Sequence, residues 1–138
     1  MDPTVVAGET VLINRVVYSV SSVKRGDLIA YRTNDKTDAS VHVKRVIGLP
    51  GEKIQIRDGL ILINGKTYFD DTDLPGINNP GLAEEGVTVK DGEYFVLGDN
   101  RNMSEDSRFA DVGNIQKGYI IGKVWMISSP LSEFGLVK

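Results

Sequence analysis

The chain has 138 residues, 41% of them hydrophobic and 25% charged, with a net charge of −3. That length suffices for one domain with a real core, and the acidic balance argues against nucleic acid or an anionic membrane surface as partner. Cysteine is absent, which removes disulfides, thiolate metal sites and a cysteine nucleophile; no apolar run approaches the roughly 18 residues of a membrane span, and no basic-plus-apolar leader opens the chain.

Fifteen glycines and frequent two-residue turns describe a mainly β chain with few short helices. Residues 10–18 read as a strand, and Gly26-Asp27 introduces a second over 28–33. A polar loop, 34–40, leads to residues 41–48, where Val41 and Val43 alternate with His42 and Lys44 at the period of a strand. Leu49-Pro50-Gly51 ends it, with Pro50 and Gly51 suited to the central positions of a type II turn. Strands at 53–57, 60–63 and 66–69 follow, separated by Asp58-Gly59 and Asn64-Gly65, the dipeptides of type I′ hairpins. Residues 70–86 are acidic and broken by Pro75, Gly76, Pro80 and Gly81, so they read as a small exposed insertion or cap loop without a core, with Asp70, Asp71 and Asp73 solvated. Strands at 92–97 and 119–127 flank a polar loop over 98–113, and 114–117 is the best place for a short helix. Trp125 and Met126 read as core residues, with contact at a membrane interface in the intact protein as the alternative. Residues 1–138 are taken as a single domain.

Two stretches carry chemistry. Lys44 is an amine inside a β-branched strand, where lost solvation would lower its pKa and make it a candidate general base; a solvated edge lysine is the bland alternative. The loop from Gly98 to Arg108 packs Asp99, Arg101, Ser104, Asp106 and Ser107 into one short segment. Turn-forming side chains and surface ion pairs would account for it blandly. A calcium loop fails on spacing, because Arg101 and Met103 sit where oxygen ligands are needed. His42 is the only histidine, and it shares a strand face with Lys44.

Taken together, these segments resemble the bacterial type I signal peptidases, Ser/Lys proteases that remove signal peptides. The resemblance rests on Met1-Asp2-Pro3-Thr4, on Gly26-Asp27-Leu28-Ile29, on Val43-Lys44-Arg45-Val46-Ile47-Gly48-Leu49-Pro50-Gly51, and on Gly98-Asp99-Asn100-Arg101 with Ser104, Asp106, Ser107 and Arg108. It implies a signal-peptidase-like catalytic core of antiparallel sheets and hairpins, similar to the LexA β core. Lys44 would be the general base and Ser104 the hydroxyl that orients it. Asp99 with Arg45, and Asp106 with Arg108, would be supporting ion pairs, and Gly98 would permit close backbone approach to Lys44. Met1, Val43 and Ala30 would line small pockets for the substrate's P1 and P3 residues. The implied partners are signal peptides of secreted preproteins, with no cofactor, no metal and no nucleic acid.

One departure is severe: the family's nucleophile is the serine immediately before the segment that Met1 begins. The expectation is therefore a catalytic core without nucleophile or membrane anchor, inactive as given. In the intact protein it would work on the extracytoplasmic face of the bacterial membrane, held to lipid by that anchor. Two other functions compete. One is a self-processing Ser/Lys protease of the LexA-like kind, for which Ala7-Gly8 would be the cleaved bond; the other is a noncatalytic binding or assembly module.

Overall fold

The computed structural model describes residues 1–33, 40–69 and 73–137. Eleven strands form among them: β1 (Thr10–Asn14), β2 (Leu28–Arg32), β3 (Val41–Gly48), β4 (Lys53–Arg57), β5 (Leu60–Ile63), β6 (Lys66–Tyr68), β7 (Val87–Thr88), β8 (Glu93–Leu97), β9 (Ile115–Gln116), β10 (Ile120–Ser129) and β11 (Gly135–Leu136). One sheet runs β1-β10-β2-β3-β8-β9, with β11 on β10; a second runs β6-β5-β4-β7. The pairing is antiparallel throughout, so the mainly β expectation holds.

The second sheet is built by local chemistry. Asp58 and Gly59 (φ 53° and 77°) and Asn64 and Gly65 (φ 51° and 83°) adopt the left-handed geometry that a type I′ turn demands. At the end of β3 the Glu52 N–H donates to Leu49 O at 3.1 Å and Gly51 has φ 89°, as a type II turn requires. Gly48 is needed for space, since a Cβ there would lie 2.7–2.9 Å from side-chain atoms of Ile54 and Phe95. That contact joins the sheets over a core of Ile47, Ile54, Ile56, Ile61, Phe95 and Leu97. A second apolar cluster holds Ile29, Tyr31, Val46 and Val96, and a third holds Leu28, Ala30 and Val124.

Several elements depart from the sequence-based expectation. β1 stops at Asn14 and Tyr18 falls in a short helix, α1 (Val17–Val20). Asn14 Oδ1 accepts from the Val16 and Val17 N–H groups at 3.0 and 3.1 Å and turns the chain out of the strand. Residues 115–116 are strand, not helix, because pairing Ile115 with Tyr94 buries Ile115 in the second cluster; the helical turn lies at Lys117–Tyr119. Segment 73–86 is not coreless: Ile77 and Ala83 are 4% and 0% exposed. Asp70 and Asp71 lie outside the described residues, as does most of the loop expected at 34–40. Trp125 is 39% exposed rather than core. Leu12 pairs with Met126 and Ile13 with Val124, so Trp125 is the extra residue of a bulge and faces outward.

Candidate active site

β3 carries the lysine and sets its surroundings. Leu28–Arg32 pairs with it along one side, opposing Ile29 to Lys44 and Ala30 to Val43. On the other side the ladder with β8 begins only at Arg45, so 41–44 face no strand there among the described residues. Successive side chains alternate between faces. Val43 therefore joins Ala30 and Met1 on the third apolar cluster, while Lys44 points to the opposite face.

Arg45, next along the strand, is 4% exposed and grips Asp99 bidentately, Nε to Oδ1 at 2.8 Å and Nη2 to Oδ2 at 2.6 Å. Its Nη1 also donates to Gly26 O at 2.9 Å, fixing the turn before β2. Asp99 has further partners at the chain start: Thr4 Oγ1 donates to its Oδ2, and its own N–H points at Met1 Sδ, 3.4 Å away. A single buried carboxylate thus ties residues 1–4, β3 and the loop that follows β8. Thr4 lies in the opening motif, and nothing in the local sequence marks its hydroxyl for a partner 95 residues away.

The loop brings Ser104 to the lysine. Lys44 Nζ donates to Ser104 Oγ at 3.0 Å. Gly98 makes this possible, because a Cβ there would sit 2.0 Å from Ser104 Oγ and 3.5 Å from Lys44 Nζ. The loop itself is fastened by Asp106, which is fully buried. Its Oδ2 accepts from the Gly98 N–H at 3.1 Å, and Arg108 binds both its oxygens, Nε at 2.8 Å and Nη2 at 2.9 Å. Arg108 also donates to the carbonyls of Asn79, Arg101 and Ser104. Asn79 belongs to the segment read as an exposed cap, and its carbonyl could not have been found from side-chain chemistry. Leu82 N–H donates to Arg108 O at 2.8 Å, so 73–86 buttresses the loop from behind.

Burial lowers the Lys44 pKa from its ordinary 10.5, and the nearby Arg108 charge lowers it further; Asp106 and Glu105 oppose both without cancelling them. A half-buried amine with a depressed pKa, hydrogen-bonded to a hydroxyl beside an open strand edge, is equipped to take a proton from a neighbouring nucleophile. His42 shares the Lys44 face but packs against Tyr31, ring centroids 5.6 Å apart. Among the described residues no His, Asp and Glu cluster is placed to hold a metal ion, and no helix is long and apolar enough to cross a membrane.

A family model described as signal peptidase, peptidase S26, matches residues 1–128. The chain belongs to the S26 signal peptidase family. It is 34% identical to signal peptidase IB of Staphylococcus aureus strain COL, with 97% of this chain and 75% of that one covered. It is 36% identical to signal peptidase I of Bacillus licheniformis, over 96% and 74% of the two chains. The crystal structure of a signal peptidase I from Enterococcus faecalis V583 superposes with a TM-score of 0.60 at 31% identity, covering 77% of this chain and 99% of that one.

Proposed function

We propose that this chain is the catalytic core of a Ser/Lys-dyad endopeptidase that removes signal peptides from exported preproteins after small-x-small sites. The observation that carries the proposal is the contact of Lys44 with Ser104, with the amine half-buried and its pKa lowered. In this mechanism neutral Lys44 takes the proton of a serine hydroxyl as that oxygen attacks the scissile carbonyl, then returns it to the departing amine. Water, deprotonated by the same amine, releases the acyl group. Ser104 orients the lysine and is not itself the nucleophile. The attacking serine is the one that the family pattern puts immediately before Met1, outside the 138 residues. The ties from Asp99 to Thr4, Met1 and Arg45 hold the start of the chain beside the lysine strand. The main-chain N–H of that serine and a side chain upstream would bind the oxyanion, an effect of about 3 kcal/mol.

The signal peptide would lie extended along the open edge at 41–44, using main-chain hydrogen bonds for affinity. Met1, Ala30 and Val43 would shape the pockets for its small residues. A membrane anchor preceding this segment would hold the site at the extracytoplasmic surface, and no cofactor is called for. The test is cleavage of a signal-peptide substrate in lipid by the 138-residue chain and by the chain extended through the preceding serine and anchor. Turnover is expected only in the extended protein, falling by a factor of about 10²–10⁴ in Lys44→Ala. No turnover in either, with both folded, would shift the assignment to a noncatalytic binding or assembly module.

A further inference from the structure

His42 is the one histidine of the chain, and nothing in the proposed chemistry uses it. The strand register fixes its direction. Ala30 opposes Val43, and both belong to the third apolar cluster; Tyr31 opposes His42 and Ile29 opposes Lys44, with Ile29 and Tyr31 in the second cluster. His42 and Lys44 therefore project from the same face of β3, roughly 6.6 Å apart at about 3.3 Å per residue. The His42 ring is half-buried and rests against Tyr31.

A substrate strand laid on the open edge at 41–44 must obey the same alternation. When the two small residues of a small-x-small site enter the side lined by Met1, Ala30 and Val43, the side chain between them points to the other face. That face carries His42 and Lys44. With the scissile bond at Lys44 and the substrate running back along the edge toward Val41, the register that sets one small residue beside Val43 sets x beside His42. Opposite side chains of a strand pair have Cβ atoms about 4.5–5.5 Å apart and diagonal ones about 7–8 Å. Lys44 is the diagonal neighbour of x.

We propose that His42 is a specificity residue for x, the middle residue of the cleavage site, and that x lies close enough to Lys44 for its charge to govern the pH at which the enzyme works. The assignment rests on the peptidase function proposed above.

The charges already acting on this face set the sign. Glu105 and Asp106 favour the protonated Lys44 amine, and Arg108 disfavours it. Tyr31, pushed up to about 12 by burial and then by Asp106, stays neutral; Arg32 and Asp111 line the cavity beyond it. A carboxylate at x acts in the direction of Glu105, so the complex needs a higher pH before Lys44 is the neutral base. A lysine at x acts in the direction of Arg108 and lowers that pH. One unit charge about 7–8 Å away, partly screened, moves it by roughly 0.5–1. Protonated His42 also attracts a carboxylate at x and repels a lysine, so it sorts substrates at the binding step.

The test uses the extended protein in lipid and signal-peptide substrates carrying Glu, Gln or Lys at x, with the small residues kept. Single-turnover rates at saturating enzyme report the enzyme–substrate complex, whereas kcat/KM reports the free enzyme. The acid limb of the single-turnover profile should lie highest for Glu, lowest for Lys and between them for Gln, a spread of about 1–2 in pH. The acid limb of kcat/KM should be common to all three. Single-turnover limbs that coincide overturn the placement of x beside Lys44. Charge reversal reads His42: above the acid limb, His42→Lys should favour the Glu-bearing substrate over the Lys-bearing one in kcat/KM and His42→Glu the reverse, each by about threefold. Both substrates meet the same free enzyme, so the ratio is independent of any change the variant makes to Lys44. The same order in both variants overturns the role of His42; where His42→Glu does not fold, His42→Lys against His42→Gln gives the same reading. If the folded protein cleaves no peptide, the proposal falls together with the peptidase function, whereas cleavage with coincident limbs or an unreversed order sinks the proposal alone.

Discussion

The four-stranded sheet and the loop at 98–108 are built by opposite rules. In the sheet each turn is written in two adjacent residues, and strands next to each other in sequence pair with each other. The loop is braced within itself by Asp106 and Arg108, but its ties to the rest of the chain come from afar: Ser104 to Lys44 across 60 positions, Asp99 to Arg45 across 54 and to Thr4 across 95. The sheet keeps its polar groups in water, whereas the loop buries Asp99, Arg101, Asp106 and Arg108. Buried charges are tolerated only when every partner is in place. The loop is therefore a cooperative unit that should fail as a whole, while the sheet should yield one turn at a time.

The sharpest way to break the comparison is to remove one buried partner. Asp99→Ala takes the buried Arg45 guanidinium's carboxylate away, leaving its charge uncompensated by Asp99, and releases Thr4; it is expected to destabilise the chain by about 3–5 kcal/mol in urea unfolding. A loss below about 1 kcal/mol would place the pair among exposed, weak ones and refute the contrast. Gly98→Ala comes next, because its Cβ would collide with Ser104 Oγ. Overpacking of that kind costs about 1–3 kcal/mol, and in the extended protein activity should fall about tenfold or more as Ser104 is displaced from Lys44.

The pH dependence reports the same unit. Lys44 has a lower pKa folded than unfolded, so between the folded value and 10.5 the unfolded chain binds more protons. Stability must then rise with pH across that window, and the burial penalty is fully present below it. Lys44→Met should flatten the rise, as read by unfolding midpoints from neutral to alkaline pH; an unchanged slope would assign the rise to other groups. The smallest effect belongs to the sheet. Gly65→Ala meets no atom within 4 Å but must hold φ near +83°, a strain of about 1 kcal/mol. The Lys44 side-chain resonances should not move, and if they do, the two regions are coupled.

Legibility in the sequence followed the same division. The two hairpin turns and the type II turn after β3 were visible because each depends on adjacent residues with unusual backbone freedom. At the site, Lys44, Ser104, Arg45, Asp99, Asp106 and Arg108 were named from motifs, and the structure brings each into contact with its counterpart. Hidden were the groups whose contribution is a backbone atom or an outward turn. The Asn79 carbonyl under Arg108, the burial of Ile77 and Ala83, and the bulge that exposes Trp125 leave no mark in side-chain pattern. The early end of β1 was missed because Asn14 acts by capping backbone groups, a choice that β-branched neighbours at 16 and 17 conceal.

By itself the sequence determined the β class, the local turns and the identity of the charged and hydroxyl residues that the proposed chemistry would use. Those are properties of one residue or of neighbours, set by backbone freedom, side-chain period and functional group. Only the tertiary structure decided which face of β3 Lys44 occupies, that Asp99 joins the chain start to that strand, and that His42 rests on Tyr31 beside it. Each depends on desolvation and on distances between segments far apart in the chain, and both are fixed only when the sheets close on their cores.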